Sequence, residues 1–469
     1  MDSSKVQTSL EQLLQGKDLF DYFYNDTLAP HSRARPGLTP VPMEHTTWIE
    51  EQRAWRETAV LFDQSHHMPE LYVEGPDAFR FLNSIGINSF ENFVPGRCRQ
   101  FVGCNPHGQV IGESLLYYLA ENKFELVSGM PLLNWVSYNA AISDLDITLT
   151  WDPATSNNKT GKRFKFRFGM DGPNAAKIFE AAVEGPVPEI KFFRTAKVRI
   201  GGCDVLALRH GMAGHMGVEL SGAYDDGPAV RAALLEAGQA FGLKPGGTLA
   251  YFSANAESGW IAAPFPAIYT APEMKAYREW LPSTVWEASA QLGGSFISRN
   301  LEDYYLTPWD MGIEKHIKFD HDFIGREALA ALAQTPRRVR RTLVWDKADV
   351  ARINASLLEE GDPFKMLRLP VATYAYQQND AVLNAKGEII GTAAFCGYTA
   401  NERVFLSLAR ISADYGEIGT ELELVWGEPD GGSRKPHVER HRQTRVKVTV
   451  APAPFAATVR EIKKKKIDA

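Results

Sequence analysis

Cysteine is scarce: the chain of 469 residues has only 4, Cys98, Cys104, Cys203 and Cys396, with no CxxC pair. This excludes a disulfide framework and the common zinc-knuckle and thioredoxin-like sites. A basic excess is also missing. The 51 Lys and Arg face 57 Asp and Glu, a net charge of −6, which argues against a sequence-independent nucleic-acid binder. No window approaches the roughly 18 consecutive apolar residues of a membrane helix. The first twenty residues contain no apolar core of the kind a signal peptide needs. GxxxxGK[ST], GxGxxG after a strand, HExxH and GxSxG are absent, so phosphoryl transfer from a nucleotide and serine hydrolysis lack their usual signatures. The 11 histidines do not group at zinc-ligand spacing. A cytoplasmic protein with no metal, no membrane and no obligatory protein partner is expected.

What is present is ordinary globular material, 44% hydrophobic and 23% charged, enough for about three domains. Residues 1–45 read as an extension, either a loose tail or an arm lying over a pocket, with Leu10, Leu13 and Leu14 at helical spacing. From Trp48 an apolar helix face is expected through Trp55 to Val60 and Leu61. The phrase LYVEGPDAFRFLNSI, a strand, a Gly75-Pro76 break and a helix, returns near Phe164 as FKFRFGMDGPNAAKIFEAA. The two break glycines lie 97 residues apart, the mark of two similar α+β units, each a sheet with helices on one face. Further strands are expected at 109–119, 123–128, 146–151, 196–200 and 205–209, and a helix at 228–241. Past the arginines at 337–341 the texture changes to short strands with turn signals, the pattern of a small antiparallel barrel. The expected division is a catalytic region at 46–335, a barrel at 336–455 and a basic tail at 456–469.

Three stretches carry candidate chemistry. Asp63-Gln64-Ser65-His66-His67-Met68 sets two imidazoles, an amide and a carboxylate in a turn before a strand, and histidine handles protons near neutrality. A glycine-rich loop at 209–217 leads into a strand that carries Glu219. A polar loop at 251–260 has aromatic residues at both ends, Tyr251 and Trp260, suited to stacking on a flat ligand. Taken singly, each stretch is better explained by packing, capping or an exposed edge than by chemistry.

Together these stretches resemble the glycine-cleavage T-protein (aminomethyltransferase) superfamily of tetrahydrofolate-dependent enzymes, through GPDA, the G-x-E strand ending at Glu219, LEAGQAFGLKPGG, ESGW and FIGREAL. Longer phrases are similar to the aryl-methyl-ether O-demethylases of that superfamily: VLFDQSHHM, LRHGMAG, PAIYT, KAYREWLP, GGSF and KFDHDFIGREAL. The resemblance implies an α+β cloverleaf, two sheet-plus-helix units and a C-terminal β-barrel around a folate channel. It implies transfer of a methyl group from a methoxybenzoate to tetrahydrofolate, with His67 and Tyr251 catalytic. Glu219 would hold the pterin, Trp260 would flank it, Gln64 would lie beside substrate or pterin, and Glu113 would stand where T-proteins carry an acid. In the demethylases an Arg ends the strand that here runs through Val127 to Gly129, and a Tyr occupies the arm position aligned with Leu38. The substitutions Gly129 and Leu38 imply a roomier substrate pocket, suited to a second methoxy group as in syringate. They leave the carboxylate contact open among Arg33, Arg35, Arg97 and Arg99. Alternatives are a vanillate or 3-O-methylgallate demethylase, a demethylase of another small methyl donor such as a sulfonium, a non-catalytic folate-binding module, and a glycine-cleavage component that needs a lipoyl carrier.

The expected chemistry is an in-line displacement at the methyl carbon, in which the protein aligns nitrogen, carbon and ether oxygen and neutralises the departing phenolate. A tyrosine hydroxyl, with a free pKa of about 10, is matched to a phenol.

Overall fold

Local chemistry sets the first helix. Thr47 caps Trp48–Glu57, its hydroxyl accepting from the Glu50 N–H. The helix stops at Glu57, and the β-branched and aromatic run that follows forms the strand Ala59–Asp63. Val60 and Leu61 therefore belong to a strand and not to the expected helix face. The computed structural model describes residues 8–26, 40–158, 160–211, 217–262, 264–335, 337–432, 435 and 437–467.

The chain builds an α+β structure with two large sheets and a closed barrel. One sheet has five strands in the order Cys98–Cys104, Val110–Ala120, Lys123–Ser128, Glu70–Glu74 and Thr148–Asp152, all antiparallel. The other has six, in the order Leu243–Gly246, Ala59–Asp63, Lys165–Asp171, Gly217–Ala223, Cys203–Leu208 and Thr195–Ile200. Only Leu243–Gly246 is parallel to its neighbour, Ala59–Asp63. The repeated phrase is one strand–glycine–helix unit built twice. Gly75 and Gly172 have φ of 131° and 133°, and a Cβ on either would strike a backbone carbonyl, that of Asp146 or of Thr58. Helices Ala78–Ile85 and Ala175–Ala182 follow at equivalent places. The expected helix at 228–241 is Gly227–Gly238, with a final 3-10 turn closed by left-handed Gly242.

Alternation explains how the sheets meet. Along Lys165–Asp171, Phe166, Phe168 and Met170 join the core under helices Ala175–Ala182 and Gly227–Gly238, whereas Lys165 and Arg167 bond to the other sheet. Arg167 is buried and reaches Glu70 at 3.1 Å, Glu125 at 2.6 Å and the Tyr117 hydroxyl at 2.8 Å. Buried charge is tolerable only when paired in this way.

Strands Arg338–Trp345, Val404–Ser412, Ile389–Thr399, Asp380–Leu383, Glu421–Trp426 and Thr444–Ala451 close the barrel. The N-terminal extension is no loose tail over 8–26. Helix Leu10–Leu14 carries a capping box, the Leu10 N–H bonds to Leu281 O, and Phe20 and Phe23 are buried in the core of the first unit. The lysine-rich end continues helix Ala457–Ile467.

Candidate active site

The parallel pairing of Leu243–Gly246 with Ala59–Asp63 delivers two segments to one place. Past Asp63 the chain enters the turn at 64–69, between strands Ala59–Asp63 and Glu70–Glu74. Past Gly246 it enters helix Thr248–Ser253. The expected polar loop at 251–260 is thus mostly helix, Thr248–Ser253 and then Asn255–Ser258, ended by left-handed Gly259. Tyr251 and His67 face each other across this junction, the hydroxyl 3.0 Å from His67 Nε2. Their rings meet edge to face at 5.0 Å, and Phe62 and Phe252 pack edge-on to Tyr251 at 5.3 and 5.1 Å.

The turn is pinned from several sides. The Gln64 N–H bonds to Arg167 O, and the Ser65 hydroxyl exchanges bonds with the Arg167 backbone. Buried Arg163 donates to the carbonyls of Ser65 and Met68 at 2.6 and 3.0 Å. His66 turns away from His67, with Nδ1 2.9 Å from the Thr155 hydroxyl and Nε2 3.6 Å from Asp63. Burial alone would raise Asp63, but hydrogen bonds from His66 and Ser65 outweigh it and hold the carboxyl below its usual range.

A cavity of about 20 Å³ lies between these groups, lined by Val41, Phe62, Asp63, His66, His67, Gly246, Gly247, Thr248, Tyr251 and Phe252. Its cover is the arm. Pro42 and Met43 carbonyls accept from the Thr248 and Leu249 N–H groups at 3.0 and 3.1 Å. Buried Glu51 takes the N–H groups of His45 and Thr46 on one oxygen and that of Gly247 on the other. Of the two alternatives for the extension, an arm over a pocket describes residues 40–43.

On the Lys165–Asp171 strand, Gly169 lies in register with Glu219. A Cβ there would meet the Gln64 amide at 2.8 Å. Gln64 and Glu219 therefore share one patch of the sheet face because residue 169 has no side chain. Glu219 Oε1 is 2.6 Å from His210 Nδ1, and Oε2 accepts from the Tyr117 hydroxyl at 3.4 Å. Burial would raise Glu219, but the His210 ring, Arg167 and Tyr117 overcome it and keep the carboxyl below its ordinary value. The glycine-rich loop ahead of this strand lies largely outside the described residues, at 212–216.

Glu113 and Trp260 form a third group. Glu113 accepts from the Trp260 ring N–H and the Gln100 amide. Burial pushes its carboxyl up to about 7 against those bonds and Arg340. Val127 packs in a small cluster with Tyr117, Cys98, Leu208 and Met68. Gly129 caps helix Met130–Ala141, exposed, and a Cβ there would meet Pro131 Cδ at 3.8 Å, an ordinary contact. Leu38, Arg33 and Arg35 lie outside the described residues. Arg97 and Arg99 bond to the carbonyls of Asn92 and Glu91 on the surface.

The expected site residues thus form three groups: His67 with Tyr251, Gln64 with Glu219, and Glu113 with Trp260. Sequence reasoning missed Arg163, Arg167, Tyr117, Glu51 and Thr248. Lys165 and Arg167 alternating with phenylalanines was the legible sign of a charged inward face. Glu257 of the ESGW phrase was also missed as a structural tie. It binds Trp55 and Arg56 on one oxygen, and Thr399 and Asn401 on the other. Among the described residues no group of three or more His, Cys, Asp or Glu is placed to hold a metal ion, and no helix is long and apolar enough to cross a membrane.

Fold and site together define an α+β enzyme architecture with a closed barrel, and the comparisons agree on the family. The GCVT N-terminal domain model matches residues 23–264, and the chain belongs to that family. Its sequence is 44% identical over 453 residues to a syringate O-demethylase of Sphingobium sp., covering 96% of this chain and 97% of that one. It is 32% identical to a sesamin methylene transferase of Sinomonas sp., over 83% and 86% of the two chains. The crystal structure of the glycine cleavage aminomethyltransferase T from Bartonella henselae shares the fold, with a TM-score of 0.58 at 18% identity over 87% and 89%.

Proposed function

We propose that the protein is a tetrahydrofolate-dependent aryl O-demethylase, a methyltransferase that takes the methyl group of a methoxybenzoate. Syringate is favoured, giving 3-O-methylgallate and 5-methyltetrahydrofolate, in the cytoplasmic catabolism of lignin-derived aromatics. The observation that carries the reading is the Tyr251 hydroxyl, 3.0 Å from His67 Nε2, on the wall of a small aromatic-lined cavity. Similarity at 44% to a protein named syringate O-demethylase supports the substrate class. The division at residues 45, 335 and 455 belongs to the same proposal.

The residues fit a folate. Glu219 uses one site on each oxygen, so acceptor capacity remains for the donor-rich edge of a pterin. Gln64 beside it offers an amide, over a glycine that leaves room. Trp260 and Glu113 form a second wall. Tetrahydrofolate, when bound, supplies the nucleophilic nitrogen that accepts the methyl group.

The chain's own part is alignment and proton handling. Tyr251 donates its hydroxyl proton to the ether oxygen as the carbon–oxygen bond lengthens, so that a neutral phenol departs. His67 holds that hydroxyl and returns its proton. Packing of Phe62 and Phe252 and the pinned turn fix both groups before substrate arrives.

Incubation with tetrahydrofolate and a panel of methoxybenzoates, with 5-methyltetrahydrofolate and the demethylated phenol measured together, tests the reading. Stoichiometric formation of both is expected. Turnover of vanillate or 3-O-methylgallate ahead of syringate would move the preference. Absence of both products across the panel would overturn the function.

A further inference from the structure

One polar group in the cavity has no task in this chemistry. Thr248 lines the cavity beside His67 and Tyr251. Its Oγ1 is buried, and no described residue hydrogen-bonds to it. The backbone N–H of Thr248 is already given to Pro42 O, so the hydroxyl is what this residue still offers. A buried hydroxyl without a partner has lost its water and gained nothing in return. Such a group marks a point where a bound molecule completes the bond. Thr248 stands three residues before Tyr251 in the same helix, which places both side chains on one face. A small ring with one oxygen at Tyr251 therefore presents a neighbouring substituent toward Thr248.

The other lining residues narrow what that substituent is. Val41, Phe62 and Phe252 are apolar, Asp63 and His66 are turned to each other at 3.6 Å, and among the described residues neither Lys nor Arg lines the cavity. A lone neutral hydroxyl is a poor anchor for a carboxylate, which calls for a cation or several donors. It both donates and accepts, and so suits a phenol. We propose that Thr248 is a specificity-determining residue that hydrogen-bonds the free ring hydroxyl adjacent to the reacting methoxy group. The enzyme then selects methoxyphenols over methoxybenzenes that lack the hydroxyl. This inference rests on the O-demethylase reading.

Two substrates and two variants test it. Syringate carries the hydroxyl between its methoxy groups, and 3,5-dimethoxybenzoate lacks it. Thr248→Val keeps the shape and removes the hydroxyl; Thr248→Ser keeps the hydroxyl. The readouts are kcat/KM for 5-methyltetrahydrofolate formation and the Kd of each benzoate by calorimetry. The parent enzyme is expected to favour syringate. Thr248→Val should lose about tenfold on syringate, mainly in KM and Kd, and less than about twofold on 3,5-dimethoxybenzoate. Thr248→Ser should retain the preference. Differences in intrinsic reactivity between the two compounds cancel in the ratio of ratios. Equal losses on both compounds, or an unchanged preference in Thr248→Val, would overturn the proposal while leaving the demethylase reading intact. Failure of the parent enzyme to act on any methoxybenzoate overturns that reading, and this inference with it.

Discussion

At the scale of single residues, the site is a set of paired groups whose partners fix their state. Tyr251 and His67 touch, so they should act as a unit. Tyr251→Phe keeps the ring and its contacts with Phe62 and Phe252, so folding should barely change. The chemical step should fall by about 10²–10⁴-fold, the range for a positioned general acid. Affinity for substrate and folate should change much less, because the interaction strengthens chiefly in the transition state. His67→Ala should cause a comparable loss, and the double variant should be little worse than either single one. Single-turnover rates decide the matter, and additive losses would mean that the two side chains work independently. Glu219 permits a second forecast. Its depressed pKa keeps it ionised well below neutrality, so its contribution to stability is present above the unfolded value of about 4.3 and is lost as pH falls through the folded value. Folate titration should therefore show no weakening traceable to Glu219 between pH 8 and pH 6. Glu219→Gln should weaken folate by about 1.5–3 kcal/mol and leave the aryl substrate nearly untouched.

At the scale of elements, the arm at 40–43 and helix Thr248–Ser253 form one lid-and-wall unit. Gly247 makes their contact possible: a Cβ there would run into the Met43 carbonyl and the Glu44 Cα. Gly247→Ala should lift the arm, raise KM for the aryl substrate and leave the unfolding midpoint within about 1 kcal/mol of the parent, since only a few backbone hydrogen bonds are at stake. A cavity of about 20 Å³ holds roughly one water, so an aromatic ring enters only as its lining yields, and the arm is held by few bonds. This pairing was half legible in sequence. The Pro-rich stretch read more readily as a loose tail than as an arm, because nothing local to residues 40–43 announces the partner some two hundred positions away. The same limit explains the misplaced start of the first strand. Val60 and Leu61 continue the apolar spacing of Trp48 and Trp55, and only pairing with Leu243–Gly246 and Lys165–Asp171 makes them a strand. Gly75 and Gly172, by contrast, were readable because a glycine between strand and helix reports a backbone need that is wholly local.

At the scale of the whole molecule, the large parts meet through buried charge as well as apolar surface. Glu257 ties helix Trp48–Glu57 to the barrel, and Arg167 ties the two sheets. Sequence shows that Arg167 alternates with phenylalanines but not that Glu70 and Glu125 wait opposite, since that pairing depends on how two sheets are stacked. The Arg167 network also runs toward the site, because Tyr117 bonds to Arg167 and to Glu219. Two variants separate its structural duty from its influence on the site. Arg167→Met leaves Glu70 and Glu125 buried without their shared cation, and breaking a buried pair in this way costs about 3–5 kcal/mol. The first unfolding transition in a denaturant titration should move accordingly. Tyr117→Phe leaves the Arg167–carboxylate bonds in place and removes one hydroxyl, so stability should fall by only about 1 kcal/mol. Glu219 then loses a donor, and folate affinity should drop severalfold with the KM for the aryl substrate little changed. If Tyr117→Phe leaves folate affinity untouched while Arg167→Met unfolds the protein as expected, the network is a brace between sheets and nothing more. A parallel fall in folate affinity in the two variants would instead mean that the stacking of the sheets and the posture of Glu219 are set by the same buried charges.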